Sequence, residues 1–136
     1  MQQLSGLDAA FLHLASPRSP MHIGSVYLLD ATTAPGFSYE RLREHIAARL
    51  PRVPILRQRL IEVPLELVDP YWINDPDFAL EAHVPRIGCP RPGGKRELMA
   101  LASRIFARPL DRTRPLWEIA FVDGIDNYPG LARGSF

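Results

Sequence analysis

Four histidines, one cysteine, an acidic turn and a glycine-rich turn are the places where this sequence could do chemistry. An imidazole titrates near neutral pH, so His13, His22, His45 or His83 could in principle serve as a general base. His13 and His45 fall on predicted helices, His22 in a predicted strand and His83 in an extended segment; each reads as a structural residue, and no catalytic residue is assigned. Cys89 lies near Arg86 and Arg91, which would favour a thiolate, but no base is placed near it in the sequence. It reads as a passive thiol. Asn74, Asp75 and Asp77 carry oxygen ligands, yet the Gly and the terminal Glu of a calcium loop are missing, so Asx turns are expected there. The run from Gly88 to Arg96 places glycines before a helix start with Lys95 beside them. A phosphate loop needs Lys directly after the second Gly of its frame and Ser or Thr next; here Gly94 intervenes and Arg96 follows, so a flexible connection is expected. These patterns hold no metal site and no bound cofactor.

The elements that must position such residues follow from periodicity and caps. Ser5 and Asp8 have capping-box spacing, with Asp replacing the usual Glu, and predict a short helix burying Leu7, Ala10, Phe11 and Leu14. Met21 to Asp30 predicts a strand with both faces at least partly covered. Ser38 caps a second helix with Tyr39, Leu42, Ile46 and Leu50 on one face, ended by Pro51. Arg41, His45 and Arg49 share its other side, which reads as a solvated face, with contact to a phosphate or an anionic head group as the alternative. Gln58 to Val63 and Glu66 to Val68 read as strand pieces split by Pro64. Asp69 to Asp77 reads as a turn-rich connector and Phe78 to Ile87 as extended chain. A third helix is predicted over Glu97 to Ala107, burying Leu98, Leu101, Ala102, Ile105 and Phe106. After Pro109, the polar turn Asp111-Arg112-Thr113-Arg114 leads through Pro115 and Leu116 into a strand opened by Trp117 and closed by Asp123-Gly124.

Length and composition frame these elements as one layered α/β domain. At 136 residues, 46% hydrophobic and 23% charged, the chain can build a core of its own. A net charge of +1 gives no field that would favour nucleic acid. No apolar run is long enough to span a bilayer, and Met-Gln-Gln-Leu-Ser lacks the regions of a signal peptide, so a cytoplasmic location is expected. A single cysteine excludes an intrachain disulfide. Fifteen arginines against one lysine suggest GC-rich bacterial coding.

Four stretches in order resemble the bacterial wax ester synthase/diacylglycerol acyltransferase family. Leu4-Ser-Gly-Leu-Asp8-Ala-Ala-Phe11-Leu12 is similar to its LSxxDxxFL opening, and Pro20-Met-His-Ile-Gly24 to its first strand. Trp72-Ile-Asn-Asp-Pro-Asp-Phe78 with His83-Val84 resembles W-x-x-D-P-x-F … H-V. Pro109-Leu-Asp-Arg-Thr-Arg-Pro115-Leu116-Trp117-Glu118 resembles the PLD-x-x-x-PLW-E block, the most specific of the four. The resemblance implies the N-terminal portion, over residues 1–136, of a fold like chloramphenicol acetyltransferase and condensation domains, with a mixed sheet and packed helices. It implies transfer of a fatty acyl group from acyl-CoA, as co-substrate, to diacylglycerol or a long-chain alcohol. The family's general base lies in an HHxxxDG motif, which this sequence does not contain.

The same resemblance implies that Pro115, Leu116 and Trp117 line an acyl or acceptor pocket; from the residues alone, Trp117 is equally a core aromatic that steers the strand. Further implied are contact with a membrane or lipid-droplet surface, and either self-association or completion by a C-terminal half. Two other readings stand beside this one: a stand-alone, inactive module that binds lipid or a partner, and a piece of a condensation-type enzyme. The LSxxDxxFL opening favours the acyltransferase over the condensation enzyme.

Overall fold

Capping fixes where the helices begin. In a computed structural model that describes residues 2–30, 32–33, 35–63 and 68–136, the Ser5 hydroxyl accepts the Asp8 amide at 3.2 Å and donates to the Asp8 carboxylate at 2.6 Å. Helix α1 (Gly6–Leu14) starts there. Its buried side is Ala9, with Leu12 packed against the cluster of Leu4, Ala9 and Leu60. The predicted stripe is the opposite one: Leu7 and Leu14 are 70% and 68% exposed, and Ala10 and Phe11 are also exposed. The rotation is set from outside the helix. Leu4 donates to the Pro70 carbonyl at 2.8 Å, which ties the entry of α1 to the sheet and turns Ala9 and Leu12 toward it.

That sheet is antiparallel, with strand order β1 (Gln2–Gln3), β3 (Tyr71–Asn74), β2 (Gln58–Ile61). The central β3 lies inside the stretch expected to be a connector. Its Tyr-Trp-Ile-Asn run pairs with β2 from Gln58↔Asn74 to Ile61↔Tyr71, a partnership that no local turn signal records. The expected Asx turn is present just after it, where Asp77 donates its amide to Asp75 Oδ1 at 3.1 Å. Of the expected strand piece from Glu66 to Val68, residues 66 and 67 lie outside the described residues.

Ser38 accepts the Arg41 amide and opens α2 (Tyr39–Arg49), which runs at Pro51 into short 3₁₀ turns over Leu50–Arg52 and Pro54–Arg57. Leu42 and Ile46 are half-buried and Leu50 is buried, as the periodicity predicts. Tyr39 locks the helix to the second sheet: its hydroxyl donates to the Val84 carbonyl at 2.7 Å, and the guanidiniums of Arg43 and Arg86 both lie within cation–π distance of its ring. Phe78 to Ile87 is not uniformly extended. A single helical turn, α3 (Leu80–His83), precedes β4 (Arg86–Gly88), and β4 pairs in parallel with β5 (Phe121–Asp123). The strand expected from Trp117 therefore has its regular part only from Phe121, although Ile119 already donates to the His83 carbonyl at 2.8 Å.

Helix α4 (Lys95–Phe106) buries Leu98 and Leu101, with Ala102, Ile105 and Phe106 half-buried, as predicted. The connection before it is fixed. Gly93 has φ +76°, accepts the Asn127 amide at 3.1 Å, and lies so close to Gly124 that an added Cβ would stand 2.2 Å from the Gly124 carbonyl oxygen. Only glycine fits there.

Residues 21–30 form no named strand, contrary to the expectation. Among the described residues this segment has one reciprocal backbone pair with a distant segment, Leu29 with Phe136 at 3.0 and 3.2 Å, and one turn bond at its end, from the Thr33 amide to the Asp30 carbonyl. A strand exists only with a partner, and Ile23 (97% exposed) and Tyr27 (79%) have no covering layer. The fold is nonetheless α/β, a three-stranded antiparallel sheet and a two-stranded parallel pair packed with helices. No helix among the described residues is long and apolar enough to cross a membrane. An extended apolar segment without cover recruits other chains, so dilute purified protein is expected to self-associate in light scattering. A monodisperse monomer that melts cooperatively would contradict this.

Candidate functional site

The turn from Asp111 to Trp117 is the hub that joins α1, the first sheet and β5. Asp111 builds it by accepting the Thr113 hydroxyl at 2.7 Å and the Thr113 amide at 2.9 Å; these bonds, with the nearby Arg114 guanidinium, hold the Asp111 carboxyl below the usual carboxylate range. Arg112 reaches back to donate to the Leu12 carbonyl at 2.8 Å and tethers the C-terminal end of α1. Pro115 is buried, and Leu116 packs against the Leu4–Ala9–Leu60 cluster. Trp117 donates its indole N–H to the Leu56 carbonyl at 2.7 Å.

His83 fixes the other side of Trp117. Its ring is buried and packs against both Phe78 and Trp117, with centroids at 5.2 and 4.6 Å in a three-ring cluster, and its Nδ1 lies 2.9 Å from the Trp117 carbonyl oxygen. A carbonyl can only accept, so Nδ1 carries the proton. The His83 backbone carbonyl takes the Ile119 amide as well, so one residue anchors the chain at two points as it leaves the turn. Arg108 Nη2 donates to both carboxylate oxygens of Glu118, each at 2.7 Å, and closes the same stretch from the α4 side.

These restraints shape one wall of an open apolar groove of about 1850 Å³. Phe11 and Leu12 of α1, Phe106 of α4, the segment 20–29, Leu116 and Trp117 line it. The volume exceeds the roughly 300–1,000 Å³ of an ordinary small-molecule pocket and suits a long, flexible apolar ligand. Gly24 lets that segment lie against α4, because a Cβ there would stand 1.9 Å from the Phe106 ring. Of the three residues expected to line a pocket, Leu116 and Trp117 line the groove, and Pro115 is buried and does not.

Sequence reasoning did not foresee Phe106 and the segment 20–29 as lining. The only signal was that the run from Val26 to Leu29 is apolar on both faces, which reads equally as a buried strand. His22 and His45 also line the groove, but among the described residues neither ring has a carboxylate partner to orient it as a base. Burial pushes the Cys89 thiol up, with the Glu97 carboxylate adding to the shift, so the thiol is poorly suited to act as a nucleophile. No cluster of three or more metal-ligating side chains occurs among the described residues.

Residues 4–128 match the family described as wax ester synthase/diacylglycerol acyltransferase catalytic domain. A Mycobacterium tuberculosis H37Rv protein named a probable diacylglycerol O-acyltransferase is 44% identical over 124 residues, covering 91% of this chain and 45% of its own. A second protein of that strain with a diacylglycerol O-acyltransferase name is 42% identical over 127 residues, covering 93% of this chain and 27% of its own. Among solved structures, the wax ester synthase/diacylglycerol acyltransferase from Marinobacter aquaeolei VT8 superposes with a TM-score of 0.76 at 30% identity, over 93% of this chain and 30% of that one. The chain thus spans between about a quarter and just under half the length of these relatives.

Proposed function

The chain belongs to the wax ester synthase/diacylglycerol acyltransferase family, and on that premise we propose that its 136 residues are the N-terminal portion of an O-acyltransferase domain and supply the apolar wall along which the acyl chains lie. The donor in this reading is a long-chain acyl-CoA, and the acceptor is diacylglycerol or a long-chain alcohol. The observation that carries it is the groove walled by Phe11, Phe106, Leu116 and Trp117. A thioester needs no acyl-enzyme, because CoA is already a good leaving group; what it needs is an acceptor hydroxyl held beside it in a space that excludes water. Leu116 and Trp117 act here by shape, and their positions are set by the core cluster and by His83 rather than by solvent. The general base comes from a segment that these 136 residues do not contain.

Titration of the chain with a fluorescent long-chain acyl-CoA, read by anisotropy, tests this. Saturable binding is expected, weakened about fivefold or more in Phe11→Asp, which puts a charge where an acyl chain would lie. Phe11 is 46% exposed, so the substitution leaves the fold intact. Absence of saturable binding, or equal affinity of the variant, would refute the reading.

A further inference from the structure

Three arginines line the groove, and two of them are committed to other contacts. Arg108 is held by Glu118, and Arg112 by the Leu12 carbonyl and Glu62. The Arg41 side chain is exposed, and its guanidinium has no hydrogen-bond or ion-pair partner among the described residues. Its guanidinium lies over the turn at Gly36, where an added Cβ would be 3.5 Å from Nη1. His45, one turn further along α2, lines the groove beside it, and its ring is likewise unpartnered. Arg49 follows at the next turn, bonded only to the His45 carbonyl at 3.2 Å. Residues four apart on a helix lie on one face, so Arg41 and His45 set a guanidinium and an imidazole at the edge of a mainly apolar groove, and Arg49 continues the row along α2 outside the groove lining. Glu44, which also lines the groove, is the one carboxylate of α2 that opposes them there.

We infer that Arg41, with His45 beside it, contacts the phosphate groups of the acyl-CoA whose chain lies in the groove. This rests on the proposed function and assigns the polar end of the ligand, which that reading leaves open. A long-chain acyl-CoA is an apolar chain joined to a polyphosphorylated head. An unpaired guanidinium at the edge of an apolar groove is complementary to that pair of features, because it can meet a phosphate with two parallel hydrogen bonds. The site is exposed, so the contribution is modest and screened by salt.

The test compares two ligands with the same acyl chain, palmitoyl-CoA and the uncharged thioester S-palmitoyl-N-acetylcysteamine, on the full 136-residue chain. Wild type is expected to prefer palmitoyl-CoA, and Arg41→Ala to weaken palmitoyl-CoA about fivefold while leaving the uncharged thioester unchanged. Arg41→Lys recovers part of the loss, since it keeps the charge but not the fork. Raising the salt concentration narrows the wild-type preference. If both ligands bind and Arg41→Ala changes neither, or weakens both equally, the inference is overturned while the groove reading stands; if neither ligand binds saturably, the groove reading itself has failed. Vesicles of phosphatidylcholine doped with phosphatidic acid form a third arm. If Arg41→Ala loses binding to these vesicles and retains palmitoyl-CoA, the phosphate source is a lipid surface and the inference is overturned.

Discussion

Trp117→Ala is expected to lower the melting temperature of this chain by at least about 10 °C, while Arg49→Ala leaves it nearly unchanged. Truncating a packed Trp costs about 3–5 kcal/mol, and here the loss is compounded. The indole N–H that satisfies the Leu56 carbonyl disappears, and the His83 ring loses the aromatic face 4.6 Å away that holds it against Phe78. Arg49, by contrast, is exposed and makes a single hydrogen bond to a carbonyl of its own helix. Trp117→Phe separates the two contributions, because it keeps a ring against His83 and deletes only the donor, at a cost of about 1–3 kcal/mol. Thermal melts followed by circular dichroism decide the matter; coincident curves for Trp117→Ala and Arg49→Ala would show that the Phe78–His83–Trp117 stack does not hold the turn.

The second large effect concerns chemistry. Incubated with acyl-CoA and diacylglycerol, the 136 residues by themselves are expected to release no CoA above the blank. A positioned general base contributes typically 10²- to 10⁴-fold, and such a base needs both reach and an orienting partner. His13 is exposed on α1, and His22 and His45 line the groove without a carboxylate partner among the described residues. His83 is buried and donates Nδ1–H to the Trp117 carbonyl, so it serves the wall rather than the substrate. A thiol-reactive dye monitors the release. Acceptor-dependent CoA production well above background would mean that one of these histidines is a base after all, and His22→Ala and His45→Ala would identify which.

Some of this was written in short stretches of sequence. Ser5 with Asp8, and Ser38 with the Arg41 amide, cap their helices through contacts three residues apart, so the starts of α1 and α2 were legible without any knowledge of the rest. The Asp111–Thr113 turn is equally local, and so is the apolar face of α4. The four ordered motifs identified the family for the same reason: they are contiguous strings.

What the tertiary structure alone decided depends on partners distant along the chain. α1 has apolar residues on two sides, and the bond from Leu4 to Pro70, the tether from Arg112 to Leu12 and the packing of Leu60, Trp72 and Leu116 go with Ala9 and Leu12 turned inward. Tyr71–Asn74 becomes a central strand because Gln58–Ile61 takes its hydrogen bonds, whereas among the described residues the more strand-like segment 21–30 pairs with a distant segment only at Leu29 and Phe136. The same holds for His83, whose clamp on Trp117 spans 34 residues. Caps and turns are closed by neighbours in sequence, but a strand, a buried face or a groove wall exists only once another segment arrives to complete it.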